Sequence, residues 1–274
     1  MVAVAALGVA FLLLPFVGLL QRAPWRSLGS LLGSEVVRDA LRLSLVTSTL
    51  ATVVCLLLGL PLAWALARSE ARGVGLVRAL VTLPMVLPPV VGGAALLFAL
   101  GRRGLVGEPL ADGFGLVLPF STAGVVVAQA FVAMPFLVVT VEAALRSTDP
   151  RLDDVAATLG AGRWETFRRV TVPTIAPSLL AGTALCWARA LGEFGATITF
   201  AGNLQGRTQT LPLAVYLSLE RDREAAIALS LVLIAVALAV LVAFRGRWWG
   251  PAGRGLAGGP AARSPAGTAA PEGP

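Results

Sequence analysis

Six stretches of this chain, roughly 2–20, 41–66, 77–100, 122–145, 176–200 and 225–244, are long and apolar enough to cross a bilayer as helices. No other feature narrows the fold as much. Lipid offers no partner to backbone N–H and C=O groups, so each stretch must satisfy its own backbone as a helix. The expected fold class is an all-α polytopic membrane protein of about six transmembrane helices. The residue balance agrees: 57% of the chain is hydrophobic and 14% charged, where a soluble domain is near half apolar and about a quarter charged. No charge precedes Gln21–Arg22. The first stretch therefore lacks the basic start of a cleaved signal peptide and is expected to be a retained helix.

Six crossings put both termini on one side. With the termini cytoplasmic, the inner segments carry twelve arginines and the outer segments nine, a slight positive-inside bias that favours this orientation. The expected organisation is a membrane domain over 1–245 followed by a tail over 246–274. That tail, rich in Gly, Pro and Ala without apolar periodicity, is expected to be disordered.

All 22 basic residues are arginine, and the chain has no histidine. A phosphate-binding Walker loop needs a lysine, so the chain is not itself a P-loop ATPase. Hydrolase arrangements built on His or Lys lack their base, and zinc sites built on His are excluded. No catalytic residue and no metal ligand is therefore assigned. The arginines are scattered between apolar spans rather than gathered on one face, which points away from nucleic acid. Cys55 and Cys186, the two cysteines, both fall inside spans and read as small core residues.

Two spans carry unusual residues. The third contains LPMVLPPVVGGAALL, with Pro84, Pro88 and Pro89 ahead of Gly92 and Gly93. Proline removes a backbone donor, so such a cluster reads either as a packed kink or as a helix bordering a pathway that changes shape. The fifth span holds Arg189 and Glu193, four residues apart on one helical face. A charge in hydrocarbon costs about 2.5–3.5 kcal/mol on insertion scales, so both should face the bundle interior or a water-filled cavity. One reading is a salt bridge that fixes packing. The other places Glu193, Phe194 and Thr197, with Pro88 and Pro89, along a translocation path where Arg189 attracts an anion. Glu142, at the inner end of the fourth span, reads as interfacial.

The longest polar interruption lies over about 146–175. Asp149 is placed to cap a helix that begins at Pro150, with Asp153 and Asp154 near its positive end. The helix runs through Val155, Ala156, Ala157 and Leu159 and stops at Gly160, after which Ala161 and Gly162 turn the chain. A second amphipathic piece, with Trp164, Phe167 and Val170, leads to Pro173. Small alanines leave a surface that a partner can approach closely. A helix resting on lipid headgroups is the competing reading, opposed by the acidic pair, which anionic lipid repels.

The interruption also carries a pattern. Asp154-Val155-Ala156, then Gly160, then Val170-Thr171-Val172-Pro173 resembles the Glu-Ala-Ala…Gly…Ile-x-Leu-Pro signature of permease subunits of binding-protein-dependent ABC importers. It departs by Asp for Glu, Val for Ala, Val for Ile and Val for Leu, with spacing intact. The segments at 83–97, 128–138, 189–203 and 208–220 are similar to the molybdate branch, with tungstate and sulfate permeases as relatives. The resemblance implies a type I importer permease in a bacterial cytoplasmic membrane, acting as a homodimer. It implies two copies of a separate ATPase, which bind ATP and Mg, so this chain holds no cofactor. It also implies a periplasmic or extracellular oxyanion-binding protein. The ATPase would grip Asp153, Asp154, Val155, Ala156, Ala157, Leu159, Gly160, Ala161 and Trp164 as a coupling helix. An ATP-independent transporter or channel is the alternative, and would require a relay of buried titratable groups or paired repeats.

Overall fold

The computed structural model of the protein describes residues 1–149 and 151–248, and every regular element among them is helical. In chain order these are α1 (Val2–Gln21), α2 (Leu28–Leu32), α3 (Glu35–Arg68), α4 (Val74–Val86), α5 (Pro89–Leu100), α6 (Gly107–Phe114) and α7 (Thr122–Ser147). They continue as α8 (Arg151–Thr158), α9 (Arg163–Thr166), a π-helical turn (Phe167–Thr171), α10 (Val172–Leu191), α11 (Gly195–Ala201), α12 (Leu211–Arg221) and α13 (Arg223–Trp248). The segment expected as a tail starts inside α13, and residues 249–274 lie outside the described residues.

Local chemistry sets the starts of the long helices. Ser34 Oγ accepts the Val37 N–H at 3.4 Å ahead of α3, and Ser121 Oγ accepts the Gly124 N–H at 3.0 Å ahead of α7. Each serine satisfies one of the donors that a helix start leaves without an intrahelical partner.

Five helical runs among the described residues are long and apolar enough to span a membrane: α1, α3, α7, the continuous run Arg163–Leu191, and α13. The third expected span differs. It is a broken pair, α4 and α5, whose axes turn by 117°. Pro88 disfavours helical backbone at the residue before it, and Leu87 accordingly sits at φ −65°, ψ 139°. Pro89 then occupies the first position of α5, where its missing N–H costs nothing. The fifth span also departs from expectation. It ends at Leu191 rather than near 200, and the chain restarts as the short α11 after Gly192–Phe194.

The piece around Trp164 is continuous with that span rather than separate from it. The π-helical turn absorbs Pro173, which cannot donate to a carbonyl one α-helical turn back. The core sits where α3, α7 and α10 meet, around Ala51, Cys55, Ala63, Ala133, Leu137, Val141, Cys186 and Ala190. Both cysteines are buried free thiols there, and the Cys55 S–H donates to the Ala130 carbonyl at 3.5 Å. α1 has no fully buried residue, and apart from the half-buried Leu19 its apolar side chains are exposed.

Candidate functional site

Two regions stand out, one where broken helices meet and one at a polar loop. At the first, the chain leaves α10 through Gly192 and buries Glu193, which is 1% exposed. Its Oε2 lies 2.6 Å from Arg189 Nη2, and its Oε1 accepts the Ala196 N–H at 2.8 Å. The carboxylate thus balances a charge from the helix before the break and satisfies a backbone donor at the start of the helix after it. The expected inward-facing pair is present, with Arg189 retaining a quarter of its side-chain exposure.

α11 packs against α5 with almost no space between backbones. A Cβ added at Gly93 would lie 2.8 Å from the Ala196 carbonyl oxygen and 2.8 Å from Thr199 Cβ. One added at Gly195 would lie 2.9 Å from Pro89 Cβ and 3.1 Å from the Val90 nitrogen. Pro89 is therefore brought against the α11 start that Glu193 caps. Pro88 ends the preceding turn and Pro89 opens α5, both exposed. Phe194 is half-buried with its ring 5.2 Å from that of Tyr216, a neighbour that no sequence spacing indicated. Thr197 is fully buried, and its Oγ1 has no hydrogen-bond partner among the described residues.

The second region is the loop over 146–175. The Arg151 N–H donates to Asp149 Oδ1 at 2.9 Å, which gives Asp149 its capping role. Pro150 and the side chain of Asp153 lie outside the described residues. α8 closes with two crossed hydrogen bonds, from the Ala161 N–H to the Ala156 carbonyl and from the Gly160 N–H to the Ala157 carbonyl, both 3.0 Å. Gly160 sits at φ +83° with nothing within 4 Å of an added Cβ. Conformation alone demands glycine there.

Ala156 is buried, so the surface attributed to small residues does not run through it; it is spent on the loop's own packing. The outward face consists of Leu152, Val155 and Leu159, exposed by 40, 56 and 83%, with Asp154 and Ala157 also exposed. Ala161 is half-buried. Trp164 is 73% exposed and stacks on Phe167 at 5.6 Å, while the Arg163 guanidinium lies 5.8 Å above the Trp64 ring. Arg169 pairs with Glu165 at 2.9 Å.

One site escaped sequence reasoning. Glu142, expected at the interface, is buried. Its Oε1 lies 2.6 Å from both Nε and Nη2 of Arg78 in α4, and 3.8 Å from Arg146 Nη1. Arg78 Nη2 also donates to the Leu66 carbonyl at 3.2 Å. The partners are 64 residues apart in sequence. A buried acidic residue in an apolar helix was the available signal, and Arg78 is its answer.

Membrane-length helices, one apolar pair broken at Pro88 and packed against a second break beside the Arg189–Glu193 ion pair, and a capped polar helix in the loop after α7 define a multi-pass helical membrane protein. Residues 55–251 match the family described as "Binding-protein-dependent transport system inner membrane component". The chain belongs to that family. It is 48% identical over 213 residues to the molybdenum transport system permease protein ModB of Mycobacterium tuberculosis, covering 78% of this chain and 80% of the relative. The sulfate transport system permease protein CysT of Escherichia coli is 36% identical over 212 residues, covering 76% of each. Among solved structures, a bacterial alginate ABC transporter in complex with an alginate-bound periplasmic protein has the same fold. Its TM-score is 0.71 at 20% identity, covering 89% of this chain and 92% of that one. The chain is thus a multi-pass inner-membrane component of the type I ABC permease fold.

Proposed function

We propose that this chain is the permease of an ABC importer that carries molybdate into the cell by ATP-driven alternating access. The observation that carries the choice of cargo is the 48% identity to a molybdenum permease over four-fifths of its length, against 36% to a sulfate permease. In this reading two copies of the permease form the path, and two copies of a separate ATPase bind ATP and Mg at the cytoplasmic face. A periplasmic or extracellular oxyanion-binding protein delivers the anion. Both termini are cytoplasmic, which places α8 on the inner side.

The ATPase grips α8 through Leu152, Val155 and Leu159, three apolar side chains at helical spacing that stay exposed among the described residues. Asp154, Ala157 and Trp164 flank that face. Gly160 and the hydrogen bonds to Ala156 and Ala157 hold the helix at a fixed angle to the bundle. At the other end of the transmission, Arg189, Glu193, Phe194 and Thr197, with Pro88 and Pro89, form the gate region. The rival reading, an ion-coupled transporter, needs titratable groups free to change charge. The buried carboxylates among the described residues, Glu142 and Glu193, are each held by an arginine.

The test of cargo is uptake of labelled molybdate in cells whose own permease has been replaced by this chain, supplied with the ATPase and binding protein that assemble with it. Unlabelled tungstate or molybdate should compete at far lower concentration than sulfate. Competition by sulfate at equal concentration would reassign the cargo.

A further inference from the structure

The proposed function leaves open how a pull on α8 reaches a gate on α5 and α11. α4 is the element that needs an anchor. It has no buried residue, its Val74 and Val81 are only partly covered, and it joins α5 through the 117° break at Pro88. The one strong polar grip on it among the described residues is Arg78. That guanidinium binds Glu142 with two nitrogens at 2.6 Å and the Leu66 carbonyl at 3.2 Å. Leu66 lies in the last turn of α3, where carbonyls lack intrahelical donors, so Arg78 ties the inner ends of three helices with one side chain. Glu142 lies in the last two turns of α7, which ends at Ser147, and α8 begins at Arg151.

We infer that Arg78 and Glu142 are positioning residues that transmit movement of the coupling loop to the gate; this inference rests on the proposed function. The physical route combines chain connections, from α8 to α7 and from α4 to α5, with packing of α4 on α7 and of α5 on α11. α8 moves the inner end of α7, and Glu142 carries Arg78 and α4 with it. α4 turns about the Pro88–Pro89 break, and α5 passes the turn to α11 through the Gly93 and Gly195 contacts, displacing the segment that Glu193 caps. The pairing suits this task, because two guanidinium nitrogens converge on one carboxylate oxygen, Glu142 Oε1, while Nη2 also holds the Leu66 carbonyl. The partly covered apolar residues of α4 restrain it against sliding far less.

The test uses the complete complex of permease, ATPase and binding protein in liposomes, with molybdate uptake and ATP hydrolysis measured on the same samples. Glu142→Gln preserves shape and removes the charge. The paired substitution Arg78→Met with Glu142→Met removes the ion pair while filling its space, since apolar replacements of buried pairs are tolerated by folds. Both should leave ATP hydrolysis near the wild-type rate and reduce anions carried per ATP by about tenfold, within the usual range of coupling between sites. Exchanging the two residues, Arg78→Glu with Glu142→Arg, should recover part of the ratio. A wild-type ratio in the Met pair, with equal protein in the membrane, overturns the transmission role alone. Loss of every variant from the membrane also overturns it, because the pair is then a folding element. Absence of ATP-driven uptake in the wild-type complex overturns the proposed function together with this inference.

Discussion

Glu193→Gln separates the two jobs of a single carboxylate. The amide keeps an oxygen for the Ala196 N–H, now accepted at 2.8 Å, but removes the charge that faces Arg189 Nη2 at 2.6 Å. Breaking a fully buried pair costs about 3–5 kcal/mol, and losing an exposed one about 0–1. Glu193 belongs to the first class at 1% side-chain exposure. The residue left behind is Arg189, whose side chain is 25% exposed and so keeps part of its hydration. The expected loss therefore lies between the classes, about 2 kcal/mol. Glu193→Ala should cost about 1 kcal/mol more, because a buried N–H at the start of α11 then has no acceptor. Arg189→Met combined with Glu193→Gln should recover most of the first loss, since no charge remains to strand. Equilibrium unfolding of the purified permease in a denaturing detergent titration reads all three variants against wild type. A Glu193→Gln protein within about 0.5 kcal/mol of wild type would refute the claim that this pair is desolvated. An alanine variant no weaker than the glutamine one would refute the capping role.

The other substitutions test separate parts of the account. Gly160→Val places a β-branched residue at φ +83° and should cost about 1–2 kcal/mol locally; it should reduce ATPase co-purification while permease abundance in the membrane holds. Leu159→Asp alters a residue that is 83% exposed. The isolated permease should then unfold within about 0.5 kcal/mol of wild type, yet retain much less ATPase in pull-down. Gly93→Ala puts a methyl group 2.8 Å from the Ala196 carbonyl oxygen, and should lower unfolding stability by about 1–3 kcal/mol through overpacking between α5 and α11.

What could be read in the sequence was whatever obeys local rules. Asp149 and Gly160 announced α8 because capping and left-handed backbone are decided within a few residues, and both act as expected. Apolar length announced the spans for the same reason. The 117° turn at Pro88 was visible only as a choice between a kink and something more, because proline fixes a break but neighbours fix its angle. Leu191 ends a span where the apolar run continues to Phe200, with only Gly192 and the charge of Glu193 as signals. The inward placement of Ala156 was hidden because a helix with alanines at adjacent positions does not declare which one faces the rest of the loop. The pairing of Arg78 with Glu142 depends on how α4 is folded back along α7, and no local spacing records that.

The central claim is that this chain moves an anion only when a separate ATPase drives it. The direct measurement is molybdate accumulation in liposomes containing purified permease, with ATPase, binding protein and ATP supplied or withheld in turn. The account predicts accumulation only when all are present, and no ATP hydrolysis by the permease alone. Accumulation by the permease alone along an imposed proton or sodium gradient would contradict it.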